Sequence, residues 1–217
     1  MAEEYYTEVE GRKYRSPIVL WRCFCASFVA AIALYLVLMS TEAITWTLYA
    51  GYFQVDQAQA DLIDLISMTS GRFALPIFLI CAVFTLLLVY RLTANAHATG
   101  DHPGLTKPTM AAASFVIPLV TLIMPPMVMG RLWRATFNGG EPRGVIGFWW
   151  AAFLTSNFSG LIANANRAAT DFAAIRNALA VSVLSFSTRA IAAGLLLFIF
   201  ATLVQGQKPR LSADVFE

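Results

Sequence analysis

Five times between Ile18 and Val204 the chain runs apolar for about the 20 residues that a helix needs to cross a hydrocarbon layer of roughly 30 Å. The segments cover about residues 18–39, 73–90, 110–130, 145–165 and 178–204. Charged residues make up 13% of the chain, roughly half the share of a soluble domain, and they cluster between the runs. The predicted fold is all-α: a polytopic helical membrane protein with its surface turned to a lipid bilayer. A polar N-terminal tail, 1–17, precedes a single membrane domain, 18–207, and a polar tail, 208–217, follows it. The N-terminal tail lacks the basic start and short apolar core of a cleaved leader, so the first segment is expected to stay as an anchor.

Charge sets the expected threading. Arg12, Lys13, Arg15 and Arg22 put the N-terminus on the cytoplasmic side. The stretch Ser40–Arg72 carries four acids and one cation, so it is expected outside. Leu62, Ile63, Leu65 and Ile66 give part of it the spacing of an amphipathic helix on the membrane surface. Trp46, Tyr49, Tyr52 and Phe53 suit an interfacial aromatic belt.

The third segment is the awkward one, because "FVIPLVTLIMPP" places Pro118, Pro125 and Pro126 inside it. A proline within a helix frees the carbonyl four residues back: Ser114 for Pro118, Thr121 for Pro125. The residue before a proline resists helical angles, which predicts the break at Met124 and Pro125. Two threadings follow. If the segment spans, eight lysines and arginines lie inside and six outside; if it re-enters and returns, eleven lie inside and three outside. Charge prefers the return, whereas 21 apolar residues in a row are by default a span. Broken helices at mid-membrane serve as ion and substrate sites in transporters. The plainer expectation is that nearby hydroxyls satisfy the freed carbonyls and the kink shapes packing.

Other polar residues in the apolar runs are few. Asn157, Gly160 and Asn164 recur at i, i+3 and i+7 on the fourth segment, a pattern that reads first as helix–helix glue and second as a cavity lining. Arg189 is the lone charge of the fifth; a span beginning at Ala190 leaves it at the membrane edge, where it can snorkel, and this is the preferred reading. The candidate polar site is therefore Asn157, Asn164 and Arg189 with Ser114 and Thr121. Cys23, Cys25 and Cys81 read as small packing residues. Both histidines, His97 and His102, lie in one loop, and no His, Cys, Asp and Glu cluster points to a metal. Neither a nucleophile with its base nor a glycine-rich phosphate loop is legible, so no enzyme activity and no cofactor are expected. The charge pattern does not fit nucleic acid.

Three stretches, "VYRLTANAHATG", "KPTMAAASFVIPLVTLIMPPMVMGRLWRAT" and "GFWWAAFLTSN", together resemble the bacterial membrane family catalogued as domain of unknown function 4328. The matching positions are Arg91 and Asn95, Pro118 and Pro125, Leu132 to Ala135 with Trp133 and Arg134, and the pair Trp149 and Trp150. Met110, Thr121 and Pro126 depart from the family pattern, which weakens any polar site built around the middle of the third segment. The resemblance implies a bacterial cytoplasmic (inner) membrane and no particular activity. Two functional readings result: a structural or accessory subunit of a larger membrane complex, or of a self-associated one, which is preferred; and a small transporter or channel using the broken third segment and the asparagine face of the fourth.

Overall fold

The computed structural model describes residues 8–9, 12–13, 15–51, 56–100, 102, 104–117, 119–142, 144–167 and 171–207. A two-residue antiparallel ladder, β1 (Glu8–Val9) with β2 (Arg12–Lys13), precedes the helices, which are the remaining regular elements among the described residues. Four helices are long and apolar enough to cross a membrane: α1 (Ile18–Tyr49), α2 (Gln57–Ala98), α5 (Val145–Arg167) and α6 (Phe172–Gln207). Two shorter helices, α3 (Pro108–Ala113) and α4 (Met124–Thr136), lie between α2 and α5.

The helices outrun the apolar segments that predict them. α1 continues ten residues past Met39 because nothing stops it before Gly51, whose φ of +77° suits a turn. Hydroxyls along that extension bond back to their own helix, Ser40 to Leu36 O at 2.8 Å, Thr41 to Leu38 O at 2.9 Å and Thr45 to Thr41 O at 2.8 Å. The expected surface helix within 40–72 is not a separate element. Its first part belongs to α1 and its last part opens α2, which runs unbroken from Gln57 through Pro76. Pro76, near the start of the apolar run 73–90, thus sits in a helix interior, at the cost of one helical hydrogen bond. Tyr52 and Phe53 lie outside the described residues.

The third of the five apolar segments is not one helix, so among the described residues four long apolar helices stand against the five segments read from sequence. α3 ends at Ala113; a turn follows, Leu119 takes a left-handed φ of 65°, and a single 3-10 turn spans Val120–Leu122. α4 then begins at Met124, so Pro125 and Pro126 open a helix instead of breaking one. First-turn amides have no partner within a helix, which makes this the cheapest place for a proline. Pro118 lies outside the described residues. The carbonyl of Ser114 meets the hydroxyl of Thr121 at 3.2 Å, and the same hydroxyl reaches Ile117 O at 2.8 Å. Local side chains therefore serve the carbonyls of the irregular stretch.

The chain divides into two compact units. The first is drawn from residues 1–26, 81–148 and 195–217. Its core sets Phe24 edge-on against Phe200, ring centroids 4.9 Å apart, among the fully buried Leu88, Leu92, Met129, Leu132 and Leu203. α4 presents Pro125, Val128, Met129, Leu132, Ala135 and Thr136 to that core, a single stripe at three- and four-residue spacing. The end of α6 passes so close to α4 that a Cβ on Gly206 would fall 2.5 Å from the ring of Phe137, so only glycine fits without moving it. Gln207, buried, donates to Leu92 O at 3.1 Å and to Thr136 Oγ1 at 3.4 Å. Asn95, also buried, binds the backbone of Arg15 at both ends: Arg15 N donates to Oδ1 at 3.2 Å and Nδ2 donates to Arg15 O at 2.9 Å.

The second unit is drawn from residues 27–80 and 149–194. Ala31, Tyr35 and Leu38 of α1, Ala163 of α5 and Ala178, Ala192 and Ala193 of α6 are buried in it. Small residues at such spacing let helix backbones approach closely, which dispersion rewards in lipid where no hydrophobic drive remains. The α2 portion of this unit, from Gln57 to Ile80, contains no fully buried residue.

The pairing at Asn95 yields a test. Asn95→Ala removes two hydrogen bonds from a buried site and is expected to lower stability in detergent by about 1–3 kcal/mol. Asn95→Asp, which loses the donor and buries a charge, should cost more. Unchanged thermal midpoints for both would show that the pairing is not holding the N-terminal segment.

Candidate functional site

The polar residues of the second unit line up between three helices. On α6, Ser182, Ser185 and Arg189 recur at i, i+3 and i+7 and therefore share a face. On α5 the inward face is Ser156, Ser159 and Ala163, all buried, with Gly160 beside them. α1 supplies Tyr35, Met39 and Glu42. The hydroxyl of Ser185 donates to Ser156 O at 2.7 Å, a side chain of one helix filling a second acceptor site on the backbone of the next. Ser187 Oγ contacts Met39 Sδ at 3.1 Å.

At one end of this seam Arg167 bonds the carboxylate of Glu42 through Nη2, which also reaches Ser182 Oγ at 3.1 Å. Glu42 is almost wholly enclosed, its side chain 8% exposed, while that of Arg167 is 45% exposed. Oε1 of Glu42 takes the arginine, and Oε2 is buried with no hydrogen-bond partner. An enclosed carboxylate needs this cation, since desolvation without a partner costs several kcal/mol.

Further along, Arg189 lays its guanidinium over the ring of Tyr35, 5.6 Å from the centroid. Its Nη2 comes within 3.7 Å of where a Cβ on Gly160 would stand, and Ser185 Oγ within 3.1 Å of the same point. A methyl at 160 would crowd Ser185 Oγ, while the guanidinium would meet it at ordinary contact distance, so the cation lies directly against the bare glycine. Among the described residues no carboxylate pairs with Arg189, and no hydrogen-bond acceptor meets its N–H groups.

The residues singled out from sequence are distributed unevenly around this arrangement. Arg189 lies in the seam. Asn157 and Asn164 are exposed, about a quarter turn from the packed face of α5, and Asn157 Nδ2 returns to Phe153 O of its own helix at 2.8 Å. The packed face is thus one residue removed from the face that the asparagine spacing outlines. Ser114 and Thr121 belong to the first unit and are bonded to each other, apart from Arg189's unit. Glu42, Arg167, Ser156 and Ser185 are absent from the sequence-level candidates. Glu42 reads as one more acid of a loop, because its place inside α1 depends on the helix continuing past the apolar run. The i, i+3, i+7 spacing of Ser182, Ser185 and Arg189 is the signal by which the seam can be found.

The motif positions have structural roles. Asn95 clasps the backbone of Arg15. Trp133 packs on Phe137 with centroids 4.9 Å apart, and Arg134 stands 3.7 Å from Glu141. Trp149 and Trp150 are buried 5.2 Å apart, the second stacked on Phe153 at 4.9 Å. Arg91 is partly buried on α2.

Four helices of this length and apolarity are the build of a helical membrane protein. The chain belongs to the family described as Domain of unknown function (DUF4328), which matches residues 53–205 and so takes in every motif named above. No curated protein and no solved structure matches it.

Removing Arg167 should expose the dependence of Glu42. Arg167→Ala is expected to cost about 2 kcal/mol, less than the 3–5 kcal/mol of a fully enclosed pair because the arginine is half exposed. Adding Glu42→Gln should recover a good part of it. Thermal unfolding of the single and double variants measures this, and additive losses would argue against coupling.

Proposed function

We propose that the chain is a four-span protein of the bacterial inner membrane and works as a small transporter through the seam of α1, α5 and α6. The observation that carries this reading is Arg189. Ser156, whose carbonyl receives Ser185, is equidistant from the two ends of the 23-residue α5. A helix of that length measures about 34 Å, close to the hydrocarbon thickness, so its midpoint falls near the bilayer centre. Arg189 follows Ser185 by one turn, about 6 Å, and its guanidinium folds back to Gly160. A cation at that depth is costly, and such residues mark substrate and ion pathways. The edge position preferred from sequence is the weaker reading beside this geometry.

The topology that goes with it has segment 108–136 entering and leaving on the cytoplasmic side. Arg131 Nη1, well along α4, donates to Thr106 Oγ1 at 3.3 Å, just before α3 begins. Gln207 joins the end of α6 to the end of α4 at Thr136 and to Leu92 near the end of α2. A segment whose start and finish meet the same helix ends is best read as a return. Charge agrees: Arg12, Lys13, Arg15, Arg22, Arg91, Lys107, Arg131, Arg134, Arg143, Lys208 and Arg210 fall inside, and Arg72, Arg167 and Arg176 outside, eleven against three.

The accessory-subunit reading keeps one observation of its own. Residues 57–80 of α2 bury nothing fully, and a helix so thinly packed within its own chain has surface for a partner. Copurification of a stoichiometric membrane partner through this helix would move the balance to that reading.

Two measurements test the proposal. With Cys23, Cys25 and Cys81 replaced by Ala, Glu141→Cys should react with a membrane-impermeant maleimide only in inverted vesicles, and Asp171→Cys only in intact cells. Labelling of both from the same side, or of Glu141→Cys only in intact cells and Asp171→Cys only in inverted vesicles, would overturn the four-span topology. For activity, proteoliposomes on a solid-supported membrane, challenged with a panel of small ions and metabolites, should give a transport current that falls at least tenfold in Arg189→Gln. A current unaffected by that change would remove Arg189 from the pathway.

A further inference from the structure

We infer that Arg189 binds a singly charged oxyanion, the carboxylate of a small solute or the phosphodiester of a lipid. The site consists of the guanidinium, the Tyr35 ring beneath it and the space left by Gly160. A guanidinium has five N–H donors in a planar fork that fits two oxygens side by side. In the second unit the neighbouring hydroxyls are already committed: Ser185 to Ser156 O, Ser159 to Thr155 O and Thr188 to Leu184 O. Each donates its one O–H to a carbonyl, and among the described residues none of these oxygens accepts a hydrogen bond from the guanidinium. Tyr35 meets the face of the cation and leaves the edge, where the N–H groups point, to another partner.

Charge balance narrows the class. The other cation of the seam, Arg167, is taken up by Glu42, whereas Arg189 stands without a carboxylate among the described residues. In a medium of low dielectric a single negative charge neutralises it, and a doubly charged ion would leave an excess of the opposite sign. A hydrogen-bonding anion also answers the donors that the protein leaves unmet, which a neutral polar solute does only in part. The inference takes its location from the reading of the seam as a transport site, and the experiment separates the two.

Purified protein in an uncharged detergent is titrated with sodium butyrate and, separately, with short-chain phosphatidylglycerol, ionic strength being held constant with chloride. At ten times the dissociation constant, an anion bound only by the folded state should raise the thermal midpoint by about 3–5 °C. Arg189→Gln should abolish the rise. Arg189→Lys, which keeps the charge without the fork, should weaken binding about tenfold. Gly160→Ala, whose added methyl crowds Ser185 Oγ and stands in contact with the guanidinium beside the fork, should weaken it while leaving the charge intact. Because the readout is the anion-dependent rise, a change in the basal stability of any variant does not confuse it. A response to butyrate assigns the site to a solute; a response to the lipid alone assigns it to a headgroup. Absence of any rise in the wild type, or a rise of equal size in Arg189→Gln, overturns the inference. Binding through Arg189 without butyrate flux in proteoliposomes upholds the site and removes the transport reading.

Discussion

A peptide group that enters hydrocarbon has to bring its hydrogen-bond partner with it, and the rest of this structure follows from that requirement. Four segments meet it with unbroken helix. Where the chain cannot stay helical, between Ala113 and Met124, the hydroxyl of Thr121 meets two carbonyls and the turns are tied by local backbone bonds. The same economy governs most serines and threonines of the long helices, which bond to the carbonyl three or four residues behind them. Polar side chains that do otherwise are therefore informative. Asn95, Gln207, Ser185 and the pair Glu42–Arg167 reach across to another element, and they define where the helices are held together.

Arg189 stands apart from both groups. Its guanidinium packs against an aromatic face and a glycine, yet among the described residues no acceptor takes up its N–H groups. Proteins keep such a group when its partner comes from outside the chain. The same holds in a weaker form for the buried Oε2 of Glu42, whose other oxygen is committed to Arg167.

Much of the fold was legible in the sequence, and the gaps have physical causes. Runs of apolar residues reveal helices because lipid imposes a length and a composition. They do not reveal where helices stop, since Thr41, Glu42 and Asp61 are as acceptable in a helix outside the hydrocarbon as in a loop, and only Gly51 gives a firm end. The prolines were misleading in position rather than in kind: the stretch is broken, but Pro125 and Pro126 begin the second piece. Of the site, Arg189 was visible as a lone charge. Its surroundings were not, because a face drawn from the most polar residues, Asn157 and Asn164, differs from the face drawn by packing, which favours the small hydroxyls of Ser156 and Ser159. Membership of the family was readable from the order and spacing of motifs, and of those motif positions Asn95 is the one seen to tie separate elements together.

The clasp between Asn95 and Arg15 has an evolutionary side. An asparagine side chain ends in an amide, and here it stands in for a peptide group, pairing with backbone N–H and C=O as a neighbouring strand would. It reads no side chain at all. This contact alone asks of position 15 only that it not be proline, which lacks the N–H, while it asks of position 95 a side chain that can donate and accept in that plane. Selection on this contact acts on one partner only, so the two positions carry no shared record of change, and methods that find contacts from paired substitutions would pass it by.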